Sequence, residues 1–149
     1  MMKVEHSVVI NRPIEEVFAF VSDIEKMTQW IGDAQEVKNI SAGPLGVGTT
    51  FTIVGGFLGR RFELNQEVTE YEPNRKLGWK STSGPVPSEF EGTFESVAGG
   101  TKFNFILVGE VGGFFKIAEP LLRRMLRRQY ETNAANLKDL LEAQAEGGA

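Results

Sequence analysis

Apolar and polar residues alternate along most of the first 110 positions, and the pattern then changes to a helical period. Lys3 to Ile10 sets Val4, His6, Val8 and Ile10 on one face and Glu5 and Ser7 on the other, which predicts a first strand. Asn11-Arg12-Pro13 interrupts it. Asn11 suits a helix N-cap, or the last residue of a turn leading into Pro13, and Glu15 and Glu16 follow where negative charge favours a helix start. Val17, Phe18, Phe20 and Val21 then mark a short amphipathic helix. Ser22-Asp23 ends it or caps a second one over Ile24 to Gln29, with Trp30 and Ile31 entering the core.

Six further strands are predicted in sequence. Ala34 to Ser41 is a weak one, followed by the glycine-rich turn 43–48. Thr49 to Val54 comes next, with a hairpin loop over Gly55 to Gly59. Arg60 to Tyr71 alternates clearly, Phe62, Leu64, Gln66 and Val68 opposing Arg61, Glu63, Asn65 and Glu67. After the turn Glu72-Pro73-Asn74, Leu77, Trp79 and Ser81 share a face. Then Ser88 to Val97 carries Phe90, Gly92 and Phe94, and Thr101 to Val108 carries Phe103, Phe105 and Leu107, joined through Gly99-Gly100. Consecutive strands with short turns form an antiparallel meander with one apolar face.

Such a face needs a cover, and Phe114 to Ala145 is the one segment long and periodic enough to supply it. Phe115, Ala118, Leu122, Met125, Leu126, Gln129, Asn133 and Leu140 fall in one stripe, with Arg123, Arg124 and Arg127 opposite and Arg128 at the margin. Pro120 is expected to kink this helix or to split off a short first piece. Gln129 and Asn133 sit one turn apart inside the stripe, so their amides require partners: side chains, water or a ligand.

The chain of 149 residues suits one domain over 1–149. Eleven Phe against two Tyr and two Trp favours a large apolar interior, and a net charge of −4 argues against nucleic acid as a partner. The absence of cysteine excludes disulfides, thiolate metal sites and a Cys nucleophile and suits a cytoplasmic location. Neither a signal-peptide pattern nor an apolar run of membrane-spanning length is visible, so no stable membrane insertion is expected.

Strand parity places Phe51, Ile53, Phe62, Leu64, Trp79, Phe90, Phe103 and Phe105 on one wall, facing Leu122, Met125, Gln129 and Asn133 across the interior. These side chains either line a ligand cavity or fill the core. His6, the single histidine, is a weak catalytic candidate, as acid/base or hydrogen-bonding group, or a satisfied histidine near the sheet end. One His without Cys leaves no expected metal site. No inward pair of carboxylates and no Ser-His-Asp arrangement emerges. The turn "GPLGVGTT" lacks the lysine of a phosphate loop, and a strand follows where a helix is required. The arginines at 123, 124, 127 and 128 are either a contact for anionic lipid or an acidic partner, or a solvated face.

The segments "VINRPIEEVFAFVSDIEKMTQW" (9–30), "GPLGVGTTF" (43–51), "EVTEYEPNRKLGW" (67–79), "GGTKFNF" (99–105) and "ANLKDLLEA" (135–143) resemble the START/Bet v 1-like superfamily, and more narrowly the SRPBCC proteins called polyketide cyclase/dehydrase-like. The resemblance implies an α+β helix-grip fold: a seven-stranded antiparallel sheet wrapped round a long C-terminal helix, with two short helices after strand one and a cavity between sheet and helix. It implies a small hydrophobic ligand (lipid, polyketide or isoprenoid-like). The alternatives are a polyketide cyclase/dehydrase-type enzyme without metal or organic cofactor, and a partner-regulating module, for example a homodimer formed through the 55–59 rim. Monomer and homodimer both stay open.

Overall fold

A computed structural model describes residues 2–32, 34–57, 60–83, 87–109 and 119–147. Strand β1 (Met2–Ile10) is followed by helix α1 (Ile14–Ser22), a 3-10 turn (Ile24–Lys26) and the one-turn helix α2 (Met27–Trp30). Strands β2 (Ala34–Lys38), β3 (Thr50–Phe57), β4 (Arg60–Glu72), β5 (Lys76–Ser83), β6 (Ser88–Val97) and β7 (Gly100–Gly109) come next, then helix α3 (Glu119–Gly147). The strands form one seven-stranded sheet in the order β1-β7-β6-β5-β4-β3-β2, antiparallel at every step. This is the helix-grip architecture that the resemblance implies.

Register confirms which residues share the concave face. His6 lies opposite Phe105, Phe105 opposite Gly92, Phe90 opposite Trp79 and Phe51 opposite Gln66. Shifts of pairing near Asn65/Gln66 and Val68/Glu70 between β4 and β5, and near Ala34/Glu36 between β2 and β3, act as bulges that bend the sheet round its contents. On the opposite face Lys76 bridges Glu70 at 3.2 Å and Glu91 at 3.4 Å, tying three strands together.

A chain of aromatic rings crosses the concave face. Ring contacts run from Tyr71 through Phe18, Phe94, Phe103, Phe105, Phe90 and Trp79 to Phe51, with centroid separations of 4.2 to 6.2 Å. Gly92 makes room for this run: a Cβ there would lie 2.7 Å from Cε1 of Phe103.

Several expectations shift. Asn11 does not cap α1. The cap position is Pro13, with no side-chain hydrogen bond, and the Asn11 N–H donates instead to Glu142 Oε2 at 2.9 Å. Asp23 does cap the 3-10 turn, accepting from the Glu25 N–H at 3.1 Å. Residues 55–57 belong to β3, Gly55 pairing with Phe62 and Gly56 with Arg61, so the tip of the expected loop shrinks to Leu58 and Gly59, outside the described residues. The expected helix start at Phe114, with Phe115 and Ala118, also lies outside them. Pro120 is the second residue of the described helix, and α3 runs past Ala145 to Gly147.

The buried stripe of α3 centres on Ala134, Leu137 and Leu141 in its C-terminal half, with Tyr130 and Leu140 packed beside it. The predicted stripe omits Leu137 and Leu141, because a helical stripe drifts round the axis over several turns. That end of α3 is pinned to the end of β1: Lys138 Nζ donates to the Val9 carbonyl at 2.9 Å and to Glu142 Oε2 at 2.6 Å. The ammonium of Lys138, and next the Asn11 N–H, hold the Glu142 carboxyl below the usual carboxylate range against the opposing effect of burial.

Two outcomes are expected. Gly92→Ala forces Phe103 to move and is expected to cost about 1–3 kcal/mol, read as a lower midpoint in denaturant. Glu142 has a depressed pKa in the folded chain, so its contribution is present above the ordinary carboxylate pKa and disappears as pH falls through the folded value. The stability gap between the wild type and Glu142→Gln is therefore expected to be constant near neutrality and to close in acid, as followed by thermal melts across pH. A gap that widens in acid contradicts this.

Candidate functional site

The space between sheet and α3 is uneven. The backbone of α3 lies closest to β1 and α2. At that side the interior is filled, with Ile10, Val17, Leu137 and Leu141 all buried. Towards β3 and β4 it is looser: Ile53, Phe62 and Leu64 are half-buried, although register puts them on the concave face. Leu122, Met125 and Leu126 on the N-terminal half of α3 are also half-buried, and Leu121 is 60% exposed. Phe51, Trp79, Phe90, Phe103 and Phe105 form the closed floor.

The structure thus brings the eight predicted wall residues onto one surface and sets the predicted α3 residues on the helix that covers it. Two of those helix residues have partners within the chain. Asn133 Oδ1 accepts from Gln129 Nε2 at 2.9 Å and from the Gly32 N–H at 2.9 Å. Gly32 fits because a side chain there would collide with Gln129, a Cβ lying 2.7 Å from Nε2. The two amides therefore stitch the segment after α2 onto α3, a contact across 101 positions that no local pattern announces.

His6 lies on the concave side with its ring edge-on to Phe105 at 5.8 Å, and Tyr130 of α3 lies 5.3 Å from the same Phe105 ring. Among the described residues the His6 imidazole has no hydrogen-bond partner. The sequence marks Trp30 only as core. It is 2% exposed, and its indole Nε1–H meets no acceptor among the described residues. Nothing local marks its N–H as unmatched. All four arginines at 123, 124, 127 and 128 are exposed, Arg123 pairing with Glu119 at 3.3 Å.

A separate surface cleft of about 500 Å³ opens between α1, the 3-10 turn and the glycine-rich turn, with Phe18, Ile24, Leu45 and Tyr71 at its base. Among the described residues there is no group of three or more His, Cys, Asp or Glu side chains able to hold a metal, and no helix long and apolar enough to cross a membrane.

Solved structures share this geometry. The protein TTHA0849 from Thermus thermophilus superposes with a TM-score of 0.82 at 18% identity, over 95% of this chain and 97% of that one. The Zhui aromatase/cyclase from a Streptomyces species gives 0.77 at 14% identity, over 96% of this chain and 94% of that one. Ara h 8.0201 gives 0.67 at 12% identity, over 95% of this chain and 97% of that one. At these identities the likeness is one of fold. No curated protein matches the sequence significantly. The family model described as polyketide cyclase/dehydrase and lipid transport matches residues 1–142, nearly the whole length over which strands, short helices and α3 build the site, and the chain belongs to that family.

Proposed function

We propose that the chain binds a small hydrophobic molecule, of lipid, polyketide or isoprenoid-like character, between the concave sheet and the N-terminal half of α3. The observation that carries this reading is the half-exposed apolar surface of Ile53, Phe62 and Leu64, on the side of the sheet from which α3 stands off. Apolar side chains left partly open on an inner face, over a closed aromatic floor, are the usual make-up of a small-molecule site. Phe51, Trp79, Phe90, Phe103 and Phe105 supply the floor, Leu122 and Met125 the roof, and Gln129 and Asn133 hold that roof in register. Such a carrier needs no metal or organic cofactor. The lack of cysteine suits a reducing cytoplasm.

A second reading, a cyclase or dehydrase acting on a polyketide-like substrate, is favoured by His6. Its imidazole is on the concave side, unpartnered among the described residues, and a free imidazole is the commonest acid/base group in enzymes.

Native mass spectrometry of freshly purified protein is expected to show a non-covalent adduct that is lost on denaturation. Titration with an apolar fluorescent probe is expected to change the emission of Trp79, and Leu64→Arg, a charge set into the wall, to weaken binding at least about tenfold. Absence of both adduct and probe binding rejects the carrier. For the second reading, a poly-β-ketone substrate is expected to be turned over by the wild type and not by His6→Ala. Equal turnover by the two rejects that role for His6.

A further inference from the structure

From Phe62 to Val68, β4 alternates, and Phe62, Leu64, Gln66 and Val68 take the concave face. Gln66 is the polar member of that row. It lies opposite Phe51 of β3 and Ser81 of β5, and it is 5% exposed. A carboxamide has two N–H donors and an acceptor oxygen, and in a protein interior these are normally matched. Those of Gln66 are not: among the described residues neither amide atom makes a hydrogen bond.

Its neighbours explain why. Phe51, Leu64 and Val68 have no polar side-chain atom to offer. The Ser81 hydroxyl is committed to β6, its Oγ accepting from the Ser88 N–H at 2.9 Å and donating to the Ser88 carbonyl at 3.4 Å. The inward amides of α3 differ, since Gln129 and Asn133 bond to each other and Asn133 also to Gly32. Access matters as well. Trp30 Nε1 is unpartnered and without accessible surface, whereas the Gln66 amide is not sealed in this way. Leu64, the next inward residue along β4, is half-buried and belongs to the apolar surface that it shares with Ile53 and Phe62. An unmatched amide therefore borders the open part of the wall.

We infer that Gln66 recognises the ligand's polar group. The bound molecule carries, on its apolar body, a neutral group that accepts from Nε2–H and donates to Oε1, as a lactam, a carboxamide or an enolised 1,3-diketone does. This rests on the carrier reading above and deepens it, by assigning a point of polar recognition within the apolar wall. A carboxylate accepts without donating and leaves Oε1 unmatched. A hydrocarbon leaves the whole amide unmatched while excluding water from it, which costs binding.

The test uses three bicyclic probes of similar size: the lactam quinolin-2-one, 2-methylnaphthalene and 2-naphthoate. Affinities are measured for the wild type and for Gln66→Met, which keeps the length of the side chain and removes the amide. The ratio of quinolinone to methylnaphthalene affinity is expected to be about tenfold larger in the wild type than in Gln66→Met, the value of two modest net hydrogen bonds. Naphthoate is expected to bind more weakly than the quinolinone. In a proton–nitrogen correlation spectrum the quinolinone is expected to move the Gln66 side-chain NH₂ pair downfield, the pair being assigned by cross-peaks to the Phe51 ring. Equal ratios in the two proteins, with the NH₂ pair unmoved by quinolinone, overturn this inference and leave the carrier reading standing. Tightest binding by naphthoate does the same, as does a bound-water cross-peak to the amide that survives saturation with quinolinone. Binding of none of the three probes overturns both. The assignment needs no variant, so the wild-type spectra and the wild-type order of quinolinone and naphthoate decide the matter even if Gln66→Met fails to fold.

Discussion

Burial of Ala134, Leu137 and Leu141 against the inner side of the chain fixes where α3 lies, and the rest of the architecture follows from that position. The C-terminal half of the helix is held by apolar contact, by the Lys138 and Glu142 links to β1, and by the Asn133 link to Gly32. The N-terminal half has no equivalent set of anchors among the described residues. It carries half-buried Leu122, Met125 and Leu126 and stands off from β3 and β4. One firmly seated half and one loosely seated half give the interior both a core and an opening. The division of labour lies along a single helix rather than between separate elements.

The aromatic run gives this interior its shape. Phenylalanine fills volume without bringing a polar atom that must be satisfied, so a sheet can carry many such rings on one face and still leave the adjoining space uncommitted. Stacked and edge-on contacts among Phe90, Phe94, Phe103, Phe105 and Trp79 make the floor stiff. Gly92 is the concession to that arrangement within β6, a residue with little strand preference retained because the ring of Phe103 occupies the space its side chain would need. Among the described polar groups inside, the amides of Gln129 and Asn133 join the segment after α2 to α3, while Trp30 Nε1 and the His6 imidazole have no hydrogen-bond partner.

Much of this is legible in the sequence, because strand parity is a local property. Phe90, Gly92 and Phe94 alternate with Glu89, Glu91 and Glu95, and the structure puts the first three inside. The misreadings have physical causes. Gly55 and Gly56 have no side chain to show a period, so they read as a loop although they pair with Phe62 and Arg61. Asn11 has the chemistry of a helix cap, but its N–H is drawn to a carboxylate 131 positions away. Leu137 and Leu141 escape the α3 stripe because Leu140 continues its upstream part more neatly. The partnership of Asn133 with Gly32 and the isolation of the Trp30 N–H depend on what lies opposite in space, which no window along the chain contains.

The pairing of β1 with β7 has a consequence for how the molecule comes into being. Among the described strands β1 comes earliest in the chain and lies at the sheet's edge, and its only strand partner is β7, the latest of them. While the chain is being synthesised, β1 waits with its ladder groups unpaired and Val4, Val8 and Ile10 uncovered until residues 100–109 have emerged. The hairpins from β3 to β7 are local and close early. Contacts this distant in sequence make folding slow relative to chain length. An exposed apolar strand is also a site where two nascent chains can pair wrongly. The alternation that serves the finished interior is, until β7 has been made, an exposed hazard, and its resolution depends on how soon that strand arrives.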